Sequence, residues 1–142
     1  MVYVADSWLL VELARDNKQV LDRLADRLQK SAVRIPGVCL WDFARLLSKE
    51  RGMDYVRNQF NQFRDGYGLK SYGSLLIDWG LKPEIILEAA SIARKFPEGR
   101  TDCIVLASAQ HFKATIITGD NLMVKAAKSL KIDVQDWSSL KA

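Results

Sequence analysis

Residues 99–123, GRTDCIVLASAQHFKATIITGDNLM, constrain this chain more than any other stretch. A run of small and apolar residues, long enough for a helix, opens on one acid, Asp102. The β-branched run Thr115-Ile116-Ile117-Thr118 reads as a short strand, and a second acid, Asp120, follows it just past Gly119. Two carboxylates therefore stand at the rim of an otherwise buried helix–strand unit. Isolated charges are costly to bury, so the pair is expected to face a shared crevice and a shared cation.

The rest of the chain repeats this alternation. Residues 2–5 predict a buried strand with Asp6 directly after it; Ser7 and the apolar run 8–13 predict a helix capped by Asp6 or Ser7. A second helix opens at Asp16-Asn17, with Val20, Leu21, Leu24 and Leu28 in one stripe. Residues 32–35 make a second strand, ended by Pro36-Gly37. The helix expected over residues 38–50 turns Leu40, Phe43, Leu46 and Leu47 inward, with Asp42 beside that stripe and Arg45 and Lys49 on its own face. Taken alone, Asp42 and Arg45 read as an ordinary intrahelical ion pair.

Residues 53–64 are amphipathic around Val56, Phe60 and Phe63, and the glycine-rich stretch 65–74, with Tyr67, Lys70 and Tyr72, reads as a connector. Residues 75–78 are a short strand or the end of that connector, with no partner evident for Asp78. Pro83 suits a helix's first turn, and Ile85, Ile86, Ala89, Ile92, Ala93 and Phe96 give that helix its buried side. A last helix follows Asp120, and residues 132–137 predict a final strand. Strands alternating with helices argue for one α/β domain over residues 1–142, with a short, mainly parallel central sheet.

Composition narrows the chemistry. At 142 residues, 49% hydrophobic and 27% charged, the chain fits one ordinary globular domain. With no apolar run of membrane-spanning length and no signal-peptide pattern, a cytoplasmic location and no membrane partner are expected. A net charge of +4 is compatible with a polyanionic partner. The two cysteines, Cys39 and Cys103, sit in apolar runs without zinc-ligand spacing and read as buried free thiols. His111 is the one histidine, which excludes a two-histidine acid/base ribonuclease and a histidine-rich zinc site. There is no GxSxG elbow and no GxxxxGK[ST] loop, which removes serine hydrolases and P-loop enzymes.

In a parallel sheet the strand ends that feed helices share one edge. Asp6 and Asp120 each follow a strand, Asp102 begins a helix, and Asp42 lies a turn into the helix after the second strand. Four carboxylates at one edge repel unless protonated or neutralised by metal. Oxygen-only ligands favour Mg2+ or Mn2+ over zinc, and such a site suits metal-assisted phosphodiester hydrolysis.

The segments VADS, LWDFARLLSKERG, TDCIVLASA and IITGD, in this order, resemble the PIN domain, and within it the small VapC-type toxin ribonucleases. The resemblance spans nearly the whole chain. It implies a three-layer α/β/α fold and a metal-dependent endoribonuclease whose acids match Asp6, Asp42, Asp102 and Asp120, with Asp42 reaching the metal directly or through water. It implies roles for Ser7 and Thr118 in orienting carboxylates or water, and a cytoplasmic homodimer held inactive by a cognate VapB-type antitoxin. Two positions depart from the pattern. The second acid is usually glutamate, and Asp42 is one carbon–carbon bond shorter, about 1.5 Å. Asn121-Leu122 lacks the additional acid that some relatives carry there. Arg45, Lys49 and Arg100, near the acids in sequence, are the expected RNA contacts.

Two other readings use the same residues. A catalytically weakened PIN fold that binds RNA or protein follows from Asp42, and a housekeeping RNA-processing nuclease shares every motif with a toxin. A receiver-like phosphoacceptor domain also places acids at strand ends, but it predicts an acidic pair after the first strand, where Asp6 stands alone.

Overall fold

A computed structural model of the chain describes residues 2–28, 31–64, 75–97 and 99–140; the side chains of Leu28, Phe63, Arg64 and Arg100 lie outside that description. The stretch 65–74, with Tyr67, Lys70 and Tyr72, lies outside it as well. The described residues form β1 (Tyr3–Ala5), α1 (Ser7–Ala14), α2 (Lys18–Leu28), β2 (Val33–Pro36), α3 (Cys39–Arg51) and α4 (Met53–Arg64). Then come β3 (Leu75–Asp78), α5 (Pro83–Ala93), α6 (Arg100–Phe112), β4 (Thr115–Thr118), α7 (Asn121–Ser129) and β5 (Val134–Asp136).

The strands pair in the order β3-β2-β1-β4-β5, and every pairing is parallel. Central strands of such a sheet are covered on both faces and need no polar alternation. Accordingly Tyr3, Val4 and Ala5 of β1 are all buried, as are Ile116, Ile117 and Thr118 of β4. The edge strands β3 and β5 are short and only partly covered.

The order decides where a site belongs. From β1 the chain steps through β2 to β3, then returns across the sheet to β4 and continues outward to β5. Parallel crossovers are right-handed, so α1–α4 fall on one face and α5–α7 on the other. The packing of α1 on α3, of α3 on α4 and of α5 on α6 agrees with this. The direction of winding reverses between β1 and β4, which opens a crevice beyond their carboxyl ends. Thr115 to Ile117 lie beside Tyr3 to Ala5, so Asp6 and Asp120 leave the sheet at the same level of that crevice.

The core joins both faces through Leu9, Leu10, Phe43, Leu47, Leu106, Ile116 and Trp137, all essentially inaccessible. Each such side chain stabilises the fold by about 1.5–3 kcal/mol relative to exposure. In α6, Val105, Leu106, Ala107, Ser108 and Ala109 are all buried, because the helix lies against α5 and also against β1, β2 and β4. Its small residues permit that approach.

Several local expectations change. The second helix begins at Lys18, one residue after Asn17, whose side chain accepts from the Val20 amide at 3.4 Å. Ile86 is 50% exposed and not part of the buried side of α5, which is carried by Ile85, Ala89 and Ile92. Asp78 does have a partner: Arg34 on the neighbouring strand, at 3.0 Å. Cys39 and Cys103 are buried free thiols, and His111 is exposed near the end of α6. Among the described residues, no helix is long and apolar enough to cross a membrane.

Candidate metal centre

Three helices start at the crevice, and each brings an acid. Asp6 is the residue before α1, Asp120 the residue before α7, and Asp102 sits in the first turn of α6. One carboxylate oxygen from each of the three lies within 4.8 Å of the others. They face a cleft of about 310 Å³, whose walls include Ser7, Trp8, Glu12 and Arg15.

The hydrogen bonds explain which oxygens are left over. Thr118, the last residue of β4, accepts the Asp120 backbone N–H on its hydroxyl oxygen at 3.0 Å. Its single proton is thereby free for Asp6 Oδ2, at 2.7 Å. Asp6 stands at an N-cap position, yet its side chain caps nothing. Its other oxygen, Oδ1, is buried with no hydrogen-bond partner among the described residues. Asp120 does cap its helix, with Oδ1 accepting from the Leu122 amide at 2.9 Å.

Burial pushes the Asp6 carboxyl up to about 7, against an opposing pull from the Thr118 hydroxyl and with added push from the charges of Asp102 and Asp120. Asp102 is pushed up to about 6, first by burial and then by Asp120 and Asp42. Behind them the Cys39 thiol is held well above its usual range, by burial and by Asp6, Asp42 and Asp102. An orphaned buried oxygen, converging carboxylates and an all-oxygen donor set fit a hard divalent cation such as Mg2+ or Mn2+. Asp6, Asp102 and Asp120 are the residues that would hold it.

Asp42 is arranged differently. It lies in the first turn of α3, close enough for its charge to bear on Asp102, but it does not join the three-acid group. Its Oδ2 accepts from the Thr101 hydroxyl at 2.6 Å, and its Oδ1 lies 3.6 Å from Arg45 Nη2. Only Oδ2 is hydrogen-bonded to protein; Oδ1 has a looser ion pair with a half-exposed side chain. Thr101 does not stand out in the sequence; the only sign of it is a hydroxyl next to Asp102.

Ser7, the first residue of α1, lines the cleft. Arg45 is exposed and lies 3.6 Å from Asp42 Oδ1, and Lys49 is exposed in the last turn of α3. Arg100 is the first residue of α6, and its side chain lies outside the described residues.

Two features of the cleft go beyond the sequence expectations. The Trp8 ring covers Gly119 so closely that a Cβ there would lie 2.1 Å from it, which explains the glycine before Asp120. Opposite, Arg15 reaches from the end of α1 to Glu50 on α3, with Glu12 nearby, and ties the two helices together. That contact raises the Arg15 pKa and lowers that of Glu50, each chiefly through their hydrogen bond.

No family model and no curated protein matches the sequence. Solved structures do match in shape. VapBC2 from Rickettsia felis, solved with a DNA fragment from its promoter, superposes with a TM-score of 0.72 at 13% identity, over 96% of this chain and 99% of the matched one. VapBC-1 from nontypeable Haemophilus influenzae gives 0.69 at 13% identity, over 97% and 99%. FitAcB from Neisseria gonorrhoeae gives 0.64 at 19% identity, over 96% and 97%. With agreement along nearly the full length of both chains in each case, this chain has the PIN-domain fold in its VapC-like form.

Proposed function

We propose that this protein is a Mg2+- or Mn2+-dependent endoribonuclease, the toxin of a VapBC-type pair. The observation that carries the reading is the convergence of the Asp6, Asp102 and Asp120 carboxylates, beside which Asp6 keeps one oxygen, Oδ1, unpartnered. The likeness to VapBC and FitAB structures supports the toxin role and a VapB-type antitoxin as partner. A homodimer as the working unit is what the family resemblance implies.

When bound, the cation supplies Lewis acidity, lowering the pKa of a water and offsetting charge on the leaving oxygen. The chain's own residues do the positioning. Thr118 fixes the rotation of Asp6 by donating to Oδ2, which leaves Oδ1 without a protein partner. The Leu122 amide does the same for Asp120 through its Oδ1. Asp42, anchored by Thr101 through Oδ2, adds negative charge beside Asp102 and favours a cation there, directly or through water.

The test is cleavage of structured RNA with Mg2+ or Mn2+, with and without chelator. Activity that persists in excess EDTA, or survives Asp102→Asn, rejects the reading. A small reading frame overlapping upstream and encoding a DNA-binding N-terminus marks the toxin over a housekeeping RNA-processing nuclease.

The place of Asp42 outside the three-acid group, with Oδ2 bonded to Thr101, favours one alternative, a weakened PIN fold that binds RNA or protein without cutting. Asp42→Glu separates the two. If the natural chain is inactive and the glutamate variant cleaves RNA, the natural protein is a binder.

A further inference from the structure

A second hollow meets the acid group from the other side of Asp102. It lies between the start of α6 and the outer face of α7, and measures about 500 Å³. Its floor is apolar, built from Phe96, Cys103, Leu106, Met123 and Ala126. Lys95 and Lys125, both exposed, line it as well, and Leu122 stands 72% exposed beside them. At one end are Gly99 and Asp102. Gly99 occupies the N-cap position of α6, and the Asp102 carboxylate of the first turn lies beside it.

Resting on the nuclease reading above, we propose that this hollow is a subsite for one nucleobase of the RNA strand, with the adjoining phosphate held by Lys95 and Lys125. A nucleotide has the required division of character: a flat, largely apolar base joined to an anion. An apolar peptide would fill the floor but leave the two ammonium groups unanswered. A bare phosphate would answer them but leave the floor in contact with water. The volume lies in the range of small-ligand sites, about 300–1,000 Å³. Asp102 borders both this hollow and the acid cleft, so a base seated here is continuous with a phosphodiester lying across the three acids. The floor presents mostly apolar surface, so the subsite accepts bases by shape and contact more than by hydrogen-bonded identity.

The probe is a short, fluorescently labelled single-stranded oligoribonucleotide, titrated by anisotropy over a range of salt in Ca2+. The Lys95→Ala/Lys125→Ala double variant is expected to bind at least about 5-fold more weakly, with the salt slope reduced by about 0.7 for each phosphate no longer held. Ala126→Leu, which fills the floor, is expected to weaken binding at unchanged salt slope. That loss disappears when the probe is an abasic oligonucleotide, an outcome that a merely misfolded variant does not produce. Wild-type binding by both variants overturns the proposal. So does a loss confined to the lysine variant, which makes the hollow a charged patch beside a site for an apolar protein segment. No binding by the natural chain overturns it too. Chelator-sensitive cleavage, measured in parallel, separates this inference from its foundation. Cleavage without the binding pattern rejects the subsite alone. The binding pattern without cleavage keeps the subsite and rejects the nuclease.

Discussion

Asp78 closes β3 and Asp6 follows β1, both at the carboxyl edge of the same parallel sheet. Asp78 meets Arg34 from the adjacent strand at 3.0 Å, and the guanidinium also lies over the Phe112 ring, 4.3 Å from its centroid. Asp6 meets two more acids and one hydroxyl. The first carboxylate comes with its cation built in, so its electrostatics are complete when the chain folds. The second is left with charge of its own sign around it and one oxygen unpartnered. At one sheet edge, then, the same residue type makes a structural cross-strand tie at one end and an open site at the switch point.

This contrast is sharpest when both acids are neutralised. On the proposed function, Asp6→Asn is expected to lower metal-dependent RNA cleavage by at least about 100-fold, since it removes the one proposed ligand whose orientation the neighbouring hydroxyl fixes. In EDTA at pH 8 the same variant should be more stable than the natural chain, because it removes a buried charge that the fold alone does not compensate. Asp78→Asn should do the reverse: less stable, with cleavage unchanged. Thermal denaturation in EDTA, run beside a cleavage assay, reads both. If Asp6→Asn and Asp78→Asn shift stability in the same direction, the distinction between the two regions collapses.

Thr118→Val probes the next layer of the same corner. The hydroxyl directs its proton to Asp6 Oδ2 only because it accepts from the Asp120 amide, so its loss frees the Asp6 side chain to rotate. Metal affinity should fall about 10- to 100-fold, measured by calorimetric titration with Mn2+. An affinity within 2-fold or so of the natural chain would mean that packing, and not this hydrogen bond, aims the carboxylate.

Proton binding gives a third handle. The Asp6 carboxyl keeps its proton to about pH 7 in the folded chain, against an ordinary value of 3.8. Between those values the folded state holds a proton that the unfolded state has released, so stability falls as pH rises from about 4 to about 7. Asp102, raised to about 6, acts in the same direction over a narrower window. In EDTA the melting temperature should therefore decline across that range and level off above it, and Asp6→Asn should flatten most of the decline. Added Mn2+ competes with the proton and should raise the melting temperature most at the alkaline end. A melting temperature that rises from pH 4 to 7 in EDTA rejects this account of Asp6.

Much of this was legible in the sequence because it is local. A β-branched run followed by an acid marks a strand end, so Asp6 and Asp120 are found from their neighbours, whereas Thr118 is singled out only by the family resemblance. Helical spacing gives α3 and α7 in the same way. What was not legible depends on strand order. Arg34 meets Asp78 only because β2 lies beside β3, with Pro36 opposite Asp78 and Arg34 one position-pair back on the same face. Thr101 and Asp42 are 59 residues apart and join only once α6 has returned across the sheet to α3. The exposure of Ile86 has the same origin: periodicity marks an apolar face but not how much of it α6 covers.

Gly119→Ala tests the wall of the site without touching its charge. The methyl group would fall inside the Trp8 ring, so the indole or the β4–α7 turn must shift, at a cost of about 1–3 kcal/mol. Gly80→Ala, just beyond β3, has nothing within 4 Å of its new Cβ and should change stability by less than about 0.5 kcal/mol. Urea denaturation of the pair compares packing at the two ends of the edge as the aspartate variants compare charge. Equal effects would mean that Trp8 swings away freely and does not hold the turn that presents Asp120.

The smallest effect belongs to the tie itself. Arg34 and Asp78 are each about a third or less exposed, so their ion pair is neither fully screened nor deeply buried. Breaking it with Asp78→Asn should cost about 1 kcal/mol, and Arg34→Met somewhat more, because the guanidinium also rests on Phe112. A double-mutant cycle on urea midpoints isolates the coupling between the two side chains. A coupling near zero would make Asp78 a passive strand end, and the built-in cation would no longer explain why this acid stands apart from Asp6.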